Sequence, residues 1–346
     1  MRIWTIVLAA VLLVGCGTPA TRLELAKTAT PIPPGDPGYE RVLQVRYLGA
    51  GGLLLQRGDD VVVMAPFMSN PSMPRVAFAE VSTKRGRVDH WLESIAPSLA
   101  RTQAILAGHS HYDHLMDLPY ITSRYAPQAT VYGNDTMVNL LAPANVKRMS
   151  IEGVAGDSTT PGKWQNVSQR VRFMPLRSEH AAIFDHFFWA EGEVEEPLAA
   201  LPTRASAWKQ GRALAYLIDF MSADGERVAF RLHYQDAAST PPYGFPPAIS
   251  GHDEHPVDVA FLCVPGYNLV DHYPDGVAAY LRPRTVVGIH WESFFRELPD
   301  DVDHLWTLPM LDVPGFEALL KTGLPGVTFM LPAPGAWLLF EPVPGT

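Results

Sequence analysis

Apolar residues in this chain follow a strand-like period over most of its length. Leu43-Gln44-Val45-Arg46-Tyr47-Leu48 alternates, as a strand with one buried face does. Leu53-Leu54-Leu55 and Val61-Val62-Val63-Met64 are continuous apolar runs, the pattern of strands covered on both faces. The Arg57-Gly58-Asp59-Asp60 stretch between them predicts a hairpin turn. Further buried-strand runs lie at 104–107, 129–132, 171–176, 214–220, 228–232, 259–264, 286–289 and 336–340. Helical spacing predicts helices near 90–100, 115–125, 276–281 and 314–322. Strands dominate the first part, and strands and helices mix after it. Two sheets packed face to face with helices outside would account for this order. No internal repeat of fixed period stands out.

Two stretches interrupt the pattern as surface loops. The segment 240–256 carries Pro241, Pro242, Pro246, Pro247 and Pro256, which neither a helix nor a central strand accepts. The acidic run Glu191, Glu193, Glu195 and Glu196 reads as a solvated face. The N-terminus follows a different logic. Arg2 precedes an apolar run from Ile6 to Val14, too short for a bilayer span of about 20 residues but suited to a signal peptide. The run ends Leu13-Val14-Gly15-Cys16, which resembles a bacterial lipobox, in which the chain is cut before a cysteine that then carries lipid. An ordinary signal peptide and an uncleaved anchor are the alternatives. Residues 1–15 are thus expected to be a lipoprotein signal peptide, and 16–40, with Pro19, Pro31, Pro33, Pro34 and Pro37, a lipidated Cys16 and flexible tether. Residues 41–346 form one domain. Gly17 after the cysteine favours the periplasmic side of an outer membrane, if the cell has two membranes.

Composition narrows the classes. The chain has 346 residues, 47% of them hydrophobic and 18% charged, enough for a full core. A formal net charge of −9 argues against a nucleic-acid partner, which needs basic surface. Two cysteines exclude a disulfide scaffold or a cysteine-rich zinc module, so any metal must sit on histidine and carboxylate.

Such ligands are concentrated after the strand at 104–107. Residues 108–114 read Gly-His-Ser-His-Tyr-Asp-His, placing His109, His111, Asp113 and His114 within six positions. Alternate residues of an extended segment project to one side, so His109 and His111 can reach one ion together. Asp113 and His114 fall on the next turn and can reach a second. Imidazole nitrogen and carboxylate oxygen are ligands zinc accepts, with manganese and iron as alternatives. Two ions need further ligands. Three candidates stand at strand ends: His180 after 171–176, Asp236 after 228–232 and His290 after 286–289.

In that order, H-x-H-x-D-H, His, Asp, His resembles the metallo-β-lactamase superfamily. The resemblance spans essentially the whole chain after the tether, and Tyr47-Leu48-Gly49-Ala50-Gly51-Gly52 is similar to its opening strands. It implies an α/β, four-layer αββα sandwich with a metal site at the sheet edges. It further implies that His109, His111 and His180 hold one metal, that Asp113, His114 and His290 hold a second, and that Asp236 bridges both. His111-Tyr112-Asp113-His114-Leu115, Ile289-His290-Trp291 and Val264-Pro265-Gly266-Tyr267 look like the branch containing N-acyl-phosphatidylethanolamine phospholipase D and ascorbate-6-phosphate lactonase. Two positions depart from the pattern. The bridging aspartate sits in Gln235-Asp236-Ala237, where the glutamine could crowd the second metal or touch substrate. Ala65-Pro66 replaces the usual Asp-Pro, whose aspartate orients the site.

The implied activity is a metal-dependent, di-zinc hydrolysis of a phosphodiester or ester, with metal-held hydroxide as nucleophile and Asp113 or Asp236 orienting it. A lipid-derived substrate suits a membrane-anchored chain, and a small molecule is the alternative. The competing functions are a lactonase or carboxylic ester hydrolase of the same fold, and a metal-binding lipoprotein without turnover. His233, His252 and His255 are candidates for acid/base work, against structural or surface roles, and Tyr267 for substrate contact, against packing. Arg177, Arg231 and Arg296 lie close in sequence to site residues and would favour phosphate. The aromatic run Phe184, Phe187, Phe188 and Trp189 is either core or an apolar lip.

Overall fold

The computed structural model describes residues 17–182 and 189–342. Cys16, the expected signal peptide and Phe184, Phe187 and Phe188 lie outside the described residues. Fourteen strands among the described residues form two sheets of seven. The first half of the chain supplies β1 (Leu43–Gly49), β2 (Gly52–Arg57), β3 (Asp60–Met64), β4 (Ala104–Leu106), β5 (Thr130–Gly133) and β6 (Arg148–Ser150). The second supplies β7 (Gln165–Asn166), β8 (Val171–Arg177), β9 (Leu214–Met221), β10 (Val228–Gln235), β11 (Val259–Cys263), β12 (Thr285–Ile289) and β13 (Thr328–Met330). The last strand, β14 (Trp337–Phe340), returns to the edge of the first sheet beside β1.

The sheet orders are β14-β1-β2-β3-β4-β5-β6 and β13-β12-β11-β10-β9-β8-β7. Read from β14 and from β7, each sheet has three antiparallel pairs followed by three parallel ones. The two sheets therefore share one pattern of strand pairing, which no fixed sequence period revealed.

Side-chain alternation sorts the first sheet's apolar residues between two cores. Leu43, Val45, Tyr47, Leu53, Leu55, Val62 and Met64 join the second sheet's residues in one core. Leu48, Leu54, Val61, Val63 and Ile105 point the other way, toward helices Arg85–Leu92, Leu118–Arg124 and Asp135–Leu140. Coverage on both faces is why these strands read as nearly continuous apolar runs. Helices Asp275–Leu281 and Val313–Gly323 cover the second sheet. The latter buries Val313, Phe316 and Leu320, and Asp312 caps it by accepting a hydrogen bond from Gly315 N–H at 2.9 Å. The αββα sandwich expected from sequence is the observed architecture. The predicted hairpin is present too: Arg57 pairs with Asp60 around a two-residue turn.

The expected flexible tether is corrected. Residues 18–32 lie as a strap along the domain, and Ala20 is fully buried in the inter-sheet core. Ala20 N–H donates to the Leu305 carbonyl (2.8 Å), Thr307 N–H to the Thr18 carbonyl (2.9 Å), Ala26 N–H to that of Leu331 (2.9 Å) and Ala29 N–H to that of Trp337 (2.8 Å). Ile32 N–H donates to Gln44 Oε1 at 2.6 Å. The strap is bound through its backbone, buried Ala20 and the half-buried Leu23, Leu25 and Ala26, too short an apolar run to set a period. Among the described residues no helix is long and apolar enough to cross a membrane.

Candidate metal centre

The ligand-rich segment begins where β4 ends. Ala107 N–H donates to the Tyr132 carbonyl (2.9 Å), Leu214 N–H donates to the Gly108 carbonyl (2.7 Å), and Ser110 N–H donates to the Gln210 carbonyl (2.8 Å). The Ser110 hydroxyl donates to Asn134 Oδ1 at 2.6 Å, and the same oxygen caps the helix Asp135–Leu140 by accepting from Met137 N–H at 2.7 Å. The segment is thus tied to both sheets before any ligand is considered. Gly108 has no substitute here: a Cβ would lie 2.2 and 2.4 Å from the Asp236 carboxylate oxygens.

All seven predicted ligands meet at this edge of the sandwich, delivered by the ends of β4, β8, β10 and β12. The rings of His109 and His111 lie 4.7 Å apart between centroids, and those of His109 and His180 also 4.7 Å. His114 packs 4.1 Å from His109 and 5.3 Å from His290. Asp236 lies between the two groups, with Oδ1 3.2 Å from His109 Nδ1 and Oδ2 3.5 Å from His114 Nδ1. Asp113 Oδ2 is 3.4 Å from His290 Nε2 and 3.7 Å from His114 Nε2. Three sets have ligand atoms close enough together for one ion: His109, His111 and His180; His109, His114 and Asp236; Asp113, His114 and His290.

These residues fit divalent cations. Among the described residues, His111 Nε2, both ring nitrogens of His114 and His290 Nδ1 are buried with no hydrogen-bond partner, a costly state for polar atoms with nothing to coordinate. Burial, followed by like-charged neighbours, lowers the pKa of His109 and His111 well below the usual histidine value. Burial and His109 bring His114 down to about 3. Burial also lowers His180, whose Nδ1–H donates to the Ala181 carbonyl at 2.7 Å. The four imidazoles are neutral and hold lone pairs ready for a metal. Burial pushes Asp113 up, but His114 and His290 outweigh it and hold its carboxyl well below the usual range. Burial raises Asp236, against the pull of His114, His290 and His180. For His290, burial lowers the pKa, and contact with Asp113 more than reverses this.

Other expected residues lie elsewhere. His233 is fully buried in β10, with Nε2 2.8 Å from the Gly244 carbonyl. Because β10 runs on to Gln235, His233 and Gln235 face away from the side that carries Tyr234 and Asp236. Gln235 donates to Ser239 Oγ at 2.7 Å, so it does not crowd the ligands. His255 pairs with Asp258 at 2.9 Å. Tyr267 packs against Phe316, with its hydroxyl 3.4 Å from Asp312. His233 thus faces away from the centre, while His255 and Tyr267 are engaged by Asp258 and Phe316. His252 belongs to the turn Gly251–Asp253, and its side chain lies outside what is described. Arg231 is buried in an ion pair with Asp219, Arg296 lies over the Trp306 ring, and Arg177 pairs with Asp157. Trp189 does lie beside the centre, 5.7 Å from the rings of both His111 and Tyr112, and Phe294 lies 4.9 Å from His290. A groove of about 890 Å³ opens beside His180, lined by residues that include Arg177, Glu179, Arg212, Glu152 and Tyr243.

Sequence reasoning passed over Tyr47, Glu292 and Asn134. Glu292 carried a signal: it is a carboxylate two positions after His290, just past the apolar strand Val286–Ile289.

No protein-family model matches the chain, and no curated protein does. Solved structures do. Igni18, a metallo hydrolase from the archaeon Ignicoccus hospitalis, is 14% identical, with 87% of this chain and 99% of that one covered at a TM-score of 0.50. An isothiocyanate hydrolase from Delia radicum gut bacteria is 12% identical over 86% and 99% of the chains, at a TM-score of 0.49. YhfI, a metallo-β-lactamase-fold protein from Bacillus subtilis, is 12% identical over 86% and 100%, at 0.46. At these identities the likeness is one of fold alone: the chain shares its αββα sandwich with Igni18.

Proposed function

We propose that this protein is a metal-dependent hydrolase with a two-cation centre, zinc fitting the imidazole-rich donor set best. One observation carries the reading. Seven His and Asp side chains from four strand ends converge, and four of their buried ring nitrogens have no partner among the described residues. His109, His111 and His180 would hold one cation, Asp113, His114 and His290 the other, with Asp236 between them. Bound cations would supply Lewis acidity and a coordinated water of lowered pKa. The chain's own part is to keep His109, His111, His114 and His180 neutral by burial and to hold two carboxylates in place. The Tyr234 hydroxyl, 3.2 Å from Asp236 Oδ2, helps fix the second of these. The fold it shares with a metallo hydrolase agrees with this reading.

The substrate we infer is an ester or phosphodiester with an apolar part, which Trp189 and Phe294 would flank. This suits the phospholipase D and lactonase branch that the motifs resemble. The pairing of Arg231 and Arg177 with carboxylates favours a second reading, a carboxylic ester or lactone, since it leaves less positive charge for a phosphate. We further propose a lipid anchor at Cys16 in the bacterial cell envelope. A Cβ on Gly17 would overlap the Thr307 carbonyl, so an anchor one residue earlier would hold the domain flush with the membrane.

The test is hydrolysis of chromogenic phosphodiester and ester substrates by zinc-loaded protein, beside chelated protein and Asp113→Asn. Activity lost in both controls, with the fold kept, is the expected result. Equal activity in Asp113→Asn would refute the centre. A folded, metal-loaded protein inert toward both substrates would favour the metal-binding lipoprotein without turnover.

A further inference from the structure

We infer that Tyr47 and Glu292 form a buried clamp that sets the position of His290, and so the affinity of the cation site His290 shares with Asp113 and His114. This rests on the two-cation reading above. His290 follows β12 with φ at +63°, in the left-handed region that a side chain with a Cβ rarely adopts. Something must hold it there. Its backbone N–H donates to the Tyr47 hydroxyl at 2.8 Å, and that hydroxyl donates to Glu292 Oε2 at 2.5 Å. The other oxygen, Oε1, accepts from Ala50 N–H at 2.5 Å. Tyr47 and Glu292 are both fully buried. No water competes for these bonds, and a half-satisfied carboxylate would be costly.

The clamp spans the sandwich. Tyr47 and Ala50 belong to β1 and its turn in the first sheet, and His290 and Glu292 follow β12 in the second. The turn it grips continues to Gly51, whose carbonyl lies 3.0 Å from the hydroxyl of Tyr234, the neighbour of Asp236. Gly49 makes room for the carboxylate: at φ +88° it has no Cβ, and one placed there would lie 3.1 Å from Glu292 Oε1. Without the Tyr47 hydroxyl, the His290 amide loses its acceptor and the backbone is free to leave the left-handed region. The imidazole then swings from Asp113. Tyr47 and Glu292 are positioning residues, since neither reaches the ligand atoms.

Groups that orient metal ligands are typically worth 10–100-fold in metal affinity. The experiment uses the full chain in detergent, titrated with zinc against a chelating indicator and with cobalt followed by its visible absorption. Wild type is expected to bind two equivalents. Tyr47→Phe keeps the ring and removes the hydroxyl. It should weaken one equivalent by 10–100-fold, leave the other unchanged and alter the cobalt spectrum of the weakened site only. Glu292→Gln, which keeps an acceptor for Ala50 N–H, should give a smaller effect of the same kind and serves alone if Tyr47→Phe does not fold. A purely structural role would lower the unfolding temperature with both affinities intact, and that result overturns the clamp. Wild type binding no metal would overturn the two-cation reading and the clamp with it.

Discussion

Replacing Gly108 with alanine should disable the candidate centre while leaving the fold in place. The new Cβ would lie 2.2 and 2.4 Å from the Asp236 oxygens and 2.5 Å from their carbon, roughly 1 Å short of ordinary contact. The backbone cannot easily yield. The Gly108 carbonyl is held by Leu214 N–H, Ala107 N–H is bound to Tyr132, and the Ala107 carbonyl accepts from the Tyr216 hydroxyl at 2.6 Å. The carboxylate is therefore the part that moves, by about 1 Å, away from His109 and His114. A displacement of that size at a reacting centre costs on the order of 100-fold, or about 2.7 kcal/mol of transition-state stabilisation. The assay is kcat/KM on whichever ester or phosphodiester the wild type hydrolyses, with metal content measured on the same samples. Gly86→Ala is the control. Nothing lies within 4 Å of its Cβ, in the helix Arg85–Leu92, so it should keep full metal content and gain slightly in stability. Wild-type metal content and turnover in Gly108→Ala would refute the reasoning, because the close approach of Gly108 to Asp236 would then not matter.

Two further outcomes follow from the same contacts. A chain starting at residue 33 loses the strap's backbone hydrogen bonds and buried Ala20. Its unfolding free energy in denaturant should fall by on the order of 2–4 kcal/mol, whereas a free tether would cost nothing. The His233 pKa is lowered from 6.5 to about 4, by burial above all. The unfolded chain therefore takes the proton first, and stability is full above pH 6.5 and is lost as pH falls toward 4. The loss is about 3 kcal/mol at about 1.4 kcal/mol per unit. In chelated protein, His233→Gln should flatten this slope by that amount, and an unchanged slope would count against it.

The ligand segment was legible because its chemistry is local. Six consecutive positions carry His109, His111, Asp113 and His114, and neighbours in sequence are neighbours in space. The strands were legible for a similar reason, since burial on both faces writes long apolar runs. Three strands escaped. β6 is exposed or half-buried (Arg148–Ser150), β7 has two residues, and β13 is only partly buried. The misplacement of His233 had a readable cause. Side chains alternate along a strand, so His233 and Asp236, three apart, face opposite sides once the strand is known to reach Gln235. Ending it at residue 232 hid that parity.

By itself the sequence determined which short segments are strands, where ligand-type side chains cluster and which ends of strands carry them. Only the tertiary structure decided the rest: that the two sheets share a pairing pattern, that residues 18–32 bind the domain, that His255 and Arg231 are taken by Asp258 and Asp219, and that Tyr47 meets Glu292 across 245 positions. Local spacing is set by backbone geometry and can be read from neighbours. A buried polar group's role depends on the partner facing it, and for Tyr47 that partner comes from the other end of the chain.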